Sequence, residues 1–535
     1  MQAYDTEVLI IGGGPVGFAL ALDLSRRGRR SIVIEQEAVR ELHAKAGTLS
    51  VRSMEFCRRW GIAARIANGE FPNDFPGDIV YCTALDGHLI GREDFPSADK
   101  RPLFECSPEI LRRYPQMYFD PLLEETAAAT GLVGVKRGAR FDACTQDAEG
   151  VNADVIDIAS GARSTLRARF LVACDGAGSA VRKQAGIPFE GNPALSFSVS
   201  ALIRKPDFAT AQKMGAAERY LIIGRQGTWS NFTCVDGREL WRFTLTGSQE
   251  KFDLGQLDMA AEIRRAFGSD SAFEIVHVIP WRRSESVARA YRAGRVFLAG
   301  DAAHTMSPTG GHGLNTGLGD VDSLGWKLAA VLEGWGGETL LEAYGIERRP
   351  VAQRNSAWST GNFRAWTQCE EMDQVLDEGP TGDAARRVIH ARLSAALSEE
   401  WNSLGVSMGY RYDGSPVILP DGSAPPEDTK SDYEQTARPG HRAPHAWLED
   451  GRSTLDLFGD GFVLLHFGKA PYPATLQAAA AARGLPLRAV DMDNPRAALL
   501  YGRRFVLVRP DGHVAWRGDS LPQDAGALLD TVRGA

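Results

Sequence analysis

Three clusters of glycines and carboxylates follow short apolar runs, in patterns suited to holding a phosphorylated, flat ligand. The first is Gly12-Gly13-Gly14-Pro15-Val16-Gly17. In a turn of this kind the first glycine makes the bend, the second lets a pyrophosphate approach the backbone, and the third lets a helix pack on its strand. The N–H groups and positive dipole of the helix start then face the phosphates. Glu35 lies about twenty residues on, where a carboxylate can accept hydrogen bonds from a ribose. The chemistry is dinucleotide binding, and this motif alone does not separate one dinucleotide cofactor from another.

The second cluster is Cys174-Asp175-Gly176-Ala177-Gly178-Ser179, with Arg182 downstream. It puts a short acceptor and bare backbone at a strand end, and in isolation it also reads as an ordinary Asp-Gly turn. The third is the strongest: Gly300-Asp301-Ala302-Ala303-His304, then Pro308-Thr309-Gly310-Gly311-His312-Gly313-Leu314-Asn315. Its glycines bring backbone N–H groups up to a flat ligand, and the following helix start favours negative charge. A reduced flavin ring carries such charge. No second GxGxxG is present, so a nicotinamide coenzyme has no Rossmann site of its own and would bind transiently near the flavin.

The elements that must position these clusters are legible. Residues 7–11 and Ser31–Glu35 are β-branched runs of the kind found in buried parallel strands, and residues 16–27 between them repeat apolar positions at helical spacing. Together they form a βαβ unit. Residues 71–77 leave that unit, 78–83 read as a strand, 121–130 as a helix, and 133–172 as an antiparallel hairpin set ending in the apolar run 170–173. Runs within 195–282 alternate as in an antiparallel sheet, 296–299 return to the buried parallel type, and 318–400 are helical in pattern. A Pro/Gly/Asp/Ser-rich stretch at 411–445 reads as linker or surface loop, and the segments after it, 461–467, 475–483, 504–509 and 513–517, as a small α/β module.

Composition sets the bounds. A chain of 535 residues is too long for one core. With 44% hydrophobic and 24% charged residues it reads as globular, and a net charge of −8 argues against a nucleic-acid partner. Seven scattered cysteines show neither CxxC nor Cys/His ligand spacing, so neither a disulfide framework nor a metal site is expected. With no signal-like N-terminus and no membrane-length apolar run, the expectation is a cytoplasmic protein with no membrane partner.

In order and distance, the three clusters resemble those of the single-component (class A) FAD-dependent aromatic hydroxylases, in their phenol hydroxylase-like branch of dichlorophenol, hydroxyphenylpropionate and polyketide hydroxylases. Asp320-Val-Asp-Ser-Leu-Gly-Trp326-Lys327-Leu328 and Tyr344 with Glu347-Arg348-Arg349-Pro350 add to the likeness. The resemblance implies an α/β fold: a Rossmann-like FAD-binding domain in pieces (1–75, 105–190 and 283–400), an inserted antiparallel-sheet substrate domain (76–104 and 191–282), a linker (401–445) and a thioredoxin-like domain (446–535) without CxxC.

The resemblance also implies roles. Gly12, Gly14 and Gly17 match the ADP loop, Glu35 the ribose ligand, and Lys45 and Arg52 two family arginine positions. Gln116 matches a flavin-side glutamine, Asp175 the Asp-Gly motif residue and Asp301 the ribityl ligand, while Gly311, Gly313, Leu314 and Asn315 give bare backbone and donors near the pyrimidine edge. The implied reaction uses NADH or NADPH, O2 and a flavin C4a-hydroperoxide to hydroxylate a phenolic substrate, with a homodimer as a fold-level analogy. The alternatives are a hydroxylase or epoxidase of a polycyclic polyketide-type metabolite, and a non-catalytic flavin-binding protein. The catalytic base is not identified. Arg225, Trp241, Arg242 and Pro308 are the pocket candidates, and the place of His304 in its motif suits structural hydrogen bonding.

Overall fold

Val8–Ile11 of the strand Thr6–Ile11 and Ile32–Ile34 of the strand Ser31–Glu35 are wholly apolar, as strands covered on both faces must be, and the two form the centre of a largely parallel sheet. In the computed structural model, which describes residues 4–40, 47–367, 372–468 and 474–535, that sheet runs in the order Arg292–Ala293, Val296–Leu298, Arg163–Ala173, Thr6–Ile11, Ser31–Glu35, Val133–Arg137. Val133–Arg137 pairs parallel with Ser31–Glu35, so the antiparallel expectation for 133–172 fails at its first strand and holds for the hairpin Ala139–Gln146 and Val151–Asp157 and its pairing to Arg163 through Ala168. Helices Pro15–Arg26, Gln116–Ala128 and His312–Glu333 contribute Phe18, Leu22, Leu123, Leu318 and Leu324 to the core. The helix expected at 121–130 starts five residues earlier and carries Pro121 inside it, so that position gives up the hydrogen bond it would make to the Met117 carbonyl.

A second sheet of eight strands is ordered His304–Thr305, Glu274–Ala288, Phe189–Arg204, Leu240–Ser248, Gly227–Cys234, Arg219–Gly224, Ile79–Cys82, Leu89–Glu93. All but one of its pairs are antiparallel. Arg219–Gly224 lies parallel to Ile79–Cys82, because Ile79–Cys82 arrives from a distant stretch of chain rather than through a hairpin. One face of this sheet closes on an aromatic core of Phe208, Phe232, Trp241, Phe243 and Phe267. Part of the other face meets the helices Glu338–Thr367 and Gly379–Trp401 through Leu221, Ile223, Trp366, Ile389 and Leu393.

The last unit is a four-stranded sheet, Leu487–Met492, Phe462–Phe467, Phe505–Val508, Val514–Gly518, with helices Ala474–Ala482, Pro495–Tyr501 and Ala525–Val532. Its Phe462, Leu464 and Leu529 share one core with Trp326, Trp335 and Leu340 of the preceding helices. Residues 401–445, read as a linker, are not a loose one. They include the short helix Leu404–Met408, and His441 and Arg442 are buried, with Arg442 bridging His513 just before the last strand.

Candidate flavin and substrate site

The first glycine cluster has the stereochemistry its sequence calls for. Gly12 adopts φ +107°, and a side chain there would overlap the Cys174 carbonyl. A side chain at Gly17 would overlap the Gly12 carbonyl, so the helix rests directly on the turn. At Gly14 a Cβ would meet nothing within 4 Å, leaving open space over the helix N-terminus for a phosphate. Glu35 Oε2 accepts the Gly13 N–H at 2.6 Å and Oε1 accepts that of Glu37 at 2.8 Å; a carboxylate has about four acceptor positions, so capacity remains for ribose hydroxyls.

Asp175 stands across the turn. Its Oδ2 accepts the N–H groups of Ala180 and Val181 at 2.8 and 3.2 Å. Its Oδ1 is buried with no hydrogen-bond partner among the described residues, and burial raises the carboxyl pKa. An unsatisfied buried oxygen beside an open phosphate cradle fits a dinucleotide cofactor, since a ligand hydroxyl or amide would remove the cost of leaving it bare. Arg182, stacked 3.8 Å over Phe189, closes the end of this motif.

The third cluster begins at the 3-10 turn Gly300–Ala302, where Asp301 is exposed. Buried Asp320, on the helix His312–Glu333, holds the turn: its Oδ2 accepts the Gly300 N–H at 3.1 Å and meets His304 Nε2 at 2.7 Å, and its Oδ1 accepts Arg348 Nε at 2.9 Å. The histidine and arginine keep the Asp320 carboxyl below its ordinary range despite burial. His304 is therefore a structural partner, as its position suggested. At the far end of the loop Asn315 binds the segment before helix Val51–Arg59, and a small cavity lined by Thr48, Ser50, His312, Asn355 and Tyr410 opens there.

Facing this loop is the polar side of the second sheet. Strand pairing aligns Leu202, Arg242, Thr233 and Arg219 in one cross-strand row and Ser200, Thr244, Asn231 and Leu221 in the next. Burial, with Arg219 and Arg113 nearby, brings the Arg242 pKa down to about 10. Arg283, 3% exposed, donates to Ser307 in the flavin loop at 2.6 Å, and burial brings its pKa down to about 10 as well. Glu400, on helix Gly379–Trp401, joins the wall to the loop: Oε1 accepts the Gly310 N–H at 3.1 Å and lies 3.6 Å from Arg219, and Oε2 accepts Trp366 Nε1. Burial raises its pKa.

The candidates separate on this geometry. Gly12, Gly14, Gly17, Glu35 and Asp175 converge on one turn, and Asp301, Gly311, Gly313, Leu314 and Asn315 on one loop. Pro308 is exposed on that loop. Gln116 sits at the start of its helix, donating to Asp120 at 3.0 Å. Arg52 is buried, with its donors engaged by Glu55, Tyr410 and the Asp511 carbonyl. Lys45 lies outside the described residues. Two pocket candidates fall away: Arg225 is exposed in the turn between Arg219–Gly224 and Gly227–Cys234, and Trp241 points into the aromatic core, stacked 3.7 Å from Phe208. Arg242, the next residue, must therefore face the other way. Arg219, Arg283 and Glu400 were missed. Alternation along the strand from Arg219 could have found the first, whereas nothing local distinguishes Glu400 from a solvated helix residue.

The chain matches the family model of an FAD binding domain over residues 5–359 and that of an aromatic-ring hydroxylase C-terminal domain over 436–535. Similar curated proteins include the FAD-dependent monooxygenase apdD of Emericella nidulans, 32% identical over 96% of this chain and 88% of its own length. Another is the 2,4-dichlorophenol 6-monooxygenase of Cupriavidus pinatubonensis, 30% identical over 99% and 96%. Among solved structures, RebC soaked with chromopyrrolic acid and holding 7-carboxy-K252c superposes with a TM-score of 0.93 at 39% identity, covering 100% of both chains.

Proposed function

This chain belongs to the family of FAD-dependent aromatic-ring monooxygenases, and we propose that it hydroxylates an electron-rich aromatic substrate carrying an acidic oxygen, with NADH or NADPH as reductant and O2 as oxidant. The observation that carries the substrate assignment is the wall of Arg219, Arg242 and Arg283 beside the flavin loop. Burial lowers the pKa of Arg242 and Arg283, so an anionic group of a substrate beside them offsets part of that desolvation.

FAD, when bound, would supply the redox chemistry that couples NAD(P)H oxidation and O2 reduction to oxygen transfer. The chain's own residues hold it and shape what it meets. Gly12, Gly14 and Gly17 would leave backbone room for the pyrophosphate, Glu35 would take the ribose, Asp175 and Asp301 would take hydroxyls, and the backbone at Leu314 and Asn315 would hold the ring edge. The arginine wall orients the acidic oxygen and fixes which ring carbon faces the flavin. Glu400, with its raised pKa, can accept a proton from a ring hydroxyl and so make the ring a better nucleophile. The sheet and the two helices against it keep water from the reacting atoms.

The likeness to RebC holding 7-carboxy-K252c favours a second reading of the same wall, in which the acidic oxygen belongs to a polycyclic metabolite rather than to a simple phenol. The four-stranded final sheet with its flanking helices supports a thioredoxin-like assignment for residues 446–535, without a redox role. The six described cysteines are free thiols, which supports a reducing, cytoplasmic setting.

Purified protein should be yellow, and its NAD(P)H oxidation should rise on addition of the right substrate, with one oxygen atom in the product. A panel pairing monocyclic phenols with polycyclic aromatic acids separates the two readings. Flavin binding without stimulation by any member, or product, favours a non-catalytic flavin-binding protein.

A further inference from the structure

The final sheet ends one of its turns inside the molecule. Asp511 and His513 are 0% exposed, and so is Arg509. Arg509 binds both oxygens of Glu347 on helix Glu338–Thr367, which also receives Lys327 at 2.7 Å and Ser415 at 2.7 Å. The next residue along that helix, Arg348, holds Asp320, which in turn holds Gly300 and His304 at the first end of the flavin loop. On the other side the Asp511 carbonyl accepts Arg52 at 3.2 Å and Arg59 at 3.4 Å from helix Val51–Arg59. That helix is capped by Ser50, whose N–H, together with the Ser53 hydroxyl, binds Asn315 at the second end of the loop. The Asp511 side chain fixes the turn by pairing with Arg509 and accepting Trp326 Nε1 at 3.2 Å.

Buried charges cost desolvation and add little net stability compared with a well-packed apolar core. What they do supply is a defined geometry. We infer that the turn at residues 509–512 positions both ends of the flavin-receiving loop, with Arg509 and Asp511 as positioning residues acting through Glu347, Arg348 and Asp320 on one side and through Arg52 on the other. The C-terminal unit then acts on the flavin site through these buried contacts. The inference rests on the reading of this chain as an FAD enzyme.

The test uses the full-length apoprotein reconstituted with FAD. Asp511→Asn removes the charge that fixes the turn, Arg509→Lys loses the two-pronged grip on Glu347, and Arg503→Gln, on the surface of the same unit, is the control. The readouts are FAD Kd, the visible circular dichroism of bound flavin and its midpoint potential, beside the melting temperature of the apoprotein. Asp511→Asn should raise the FAD Kd at least ten-fold and change the flavin dichroism, Arg509→Lys should do so less, and Arg503→Gln should do neither. Variants that melt earlier but bind FAD with wild-type affinity and spectrum overturn the inference. Should neither variant fold, wild-type hydrogen exchange decides, because coupling is reciprocal. FAD should then slow exchange at residues 509–514 more than at Leu487–Met492 of the same sheet, and equal protection overturns it. A chain that binds no FAD sinks both this inference and the functional reading beneath it, whereas FAD binding without coupling sinks this one alone.

Discussion

Asn315 Oδ1 accepts the Ser50 N–H at 2.8 Å and the Ser53 hydroxyl at 2.6 Å, while its Nδ2 donates to the carbonyls of Thr48 at 3.1 Å and Gly311 at 2.7 Å. One side chain thus locks the start of helix His312–Glu333 to the segment before helix Val51–Arg59. Each such bond is worth about 1 kcal/mol net, and more where loss leaves a partly buried group bare. Asn315→Ala should therefore weaken FAD binding by roughly ten-fold or more. Asn315→Asp, which keeps the acceptor and loses the donor, should fall between. Fluorescence titration of the apoproteins measures both, and equal affinity in all three would remove Asn315 from the site.

Gly14 and Gly17 belong to the same motif, but their substitution should have opposite signatures. A Cβ at Gly14 meets open space, and the residue is an extended N-cap that alanine can adopt with little strain. Gly14→Ala should leave apoprotein stability within about 1 kcal/mol and raise the FAD Kd at least ten-fold, because the methyl group enters the phosphate cradle. Gly17→Ala overlaps backbone in the apoprotein itself and should fold poorly before cofactor is added. Thermal melts of the two apoproteins decide this, and a stable Gly17→Ala chain would contradict the packing described.

Much of the flavin half was legible because its chemistry is local. A turn needing φ near +107° at Gly12, a helix start after it and a carboxylate on the next strand all lie within one βαβ unit. Of the proposed substrate half, only Arg242 was. Arg219, Arg242, Arg283 and Glu400 come from three strands and a helix, and only strand register and helix docking bring them together. The parallel pairing of Val133–Arg137 was missed for a similar reason: alternation reports that one face is buried, not the direction of the neighbouring strand. The stretch 411–445 misled through its composition. Its Pro, Gly and Asp break helix and strand, yet Arg442 within it reaches Glu55 as a buried ion pair.

The His312 imidazole, buried at the start of its helix, has its pKa pushed down to about 4 by desolvation, with the Arg354 charge adding to the effect. The folded chain therefore binds the proton later than the unfolded chain, whose histidine titrates near 6.5. Between pH 6.5 and 4 the unfolded state carries more protons, so stability falls as the pH drops through that window, by up to about 1.4 kcal/mol per pH unit for this group. His312→Gln should flatten that slope. Urea unfolding at several pH values from 4.5 to 7 measures it, and an unchanged slope in the variant would show that His312 is not its source.

Trp241 and Arg242 are consecutive in one strand and should respond to mutation in different measurements. Side chains alternate across a sheet. Trp241 lies 1% exposed in the aromatic core, stacked on Phe208, whereas Arg242 stands in the row with Thr233 and Arg219. Trp241→Ala should cost about 3 to 5 kcal/mol of stability through the cavity it leaves. In a preparation that remains folded, the substrate KM should change little. Arg242→Gln should do the reverse. It keeps a polar side chain at the same place in the strand, so the fold should be largely kept, while the KM for an acidic aromatic substrate should rise ten-fold or more as the charge-assisted contact is lost. Comparing each acid with its methyl ester then isolates the charge. If Arg242→Gln raises KM equally for acid and ester, the arginine shapes the site without recognising the anion, and the substrate class proposed for this wall fails.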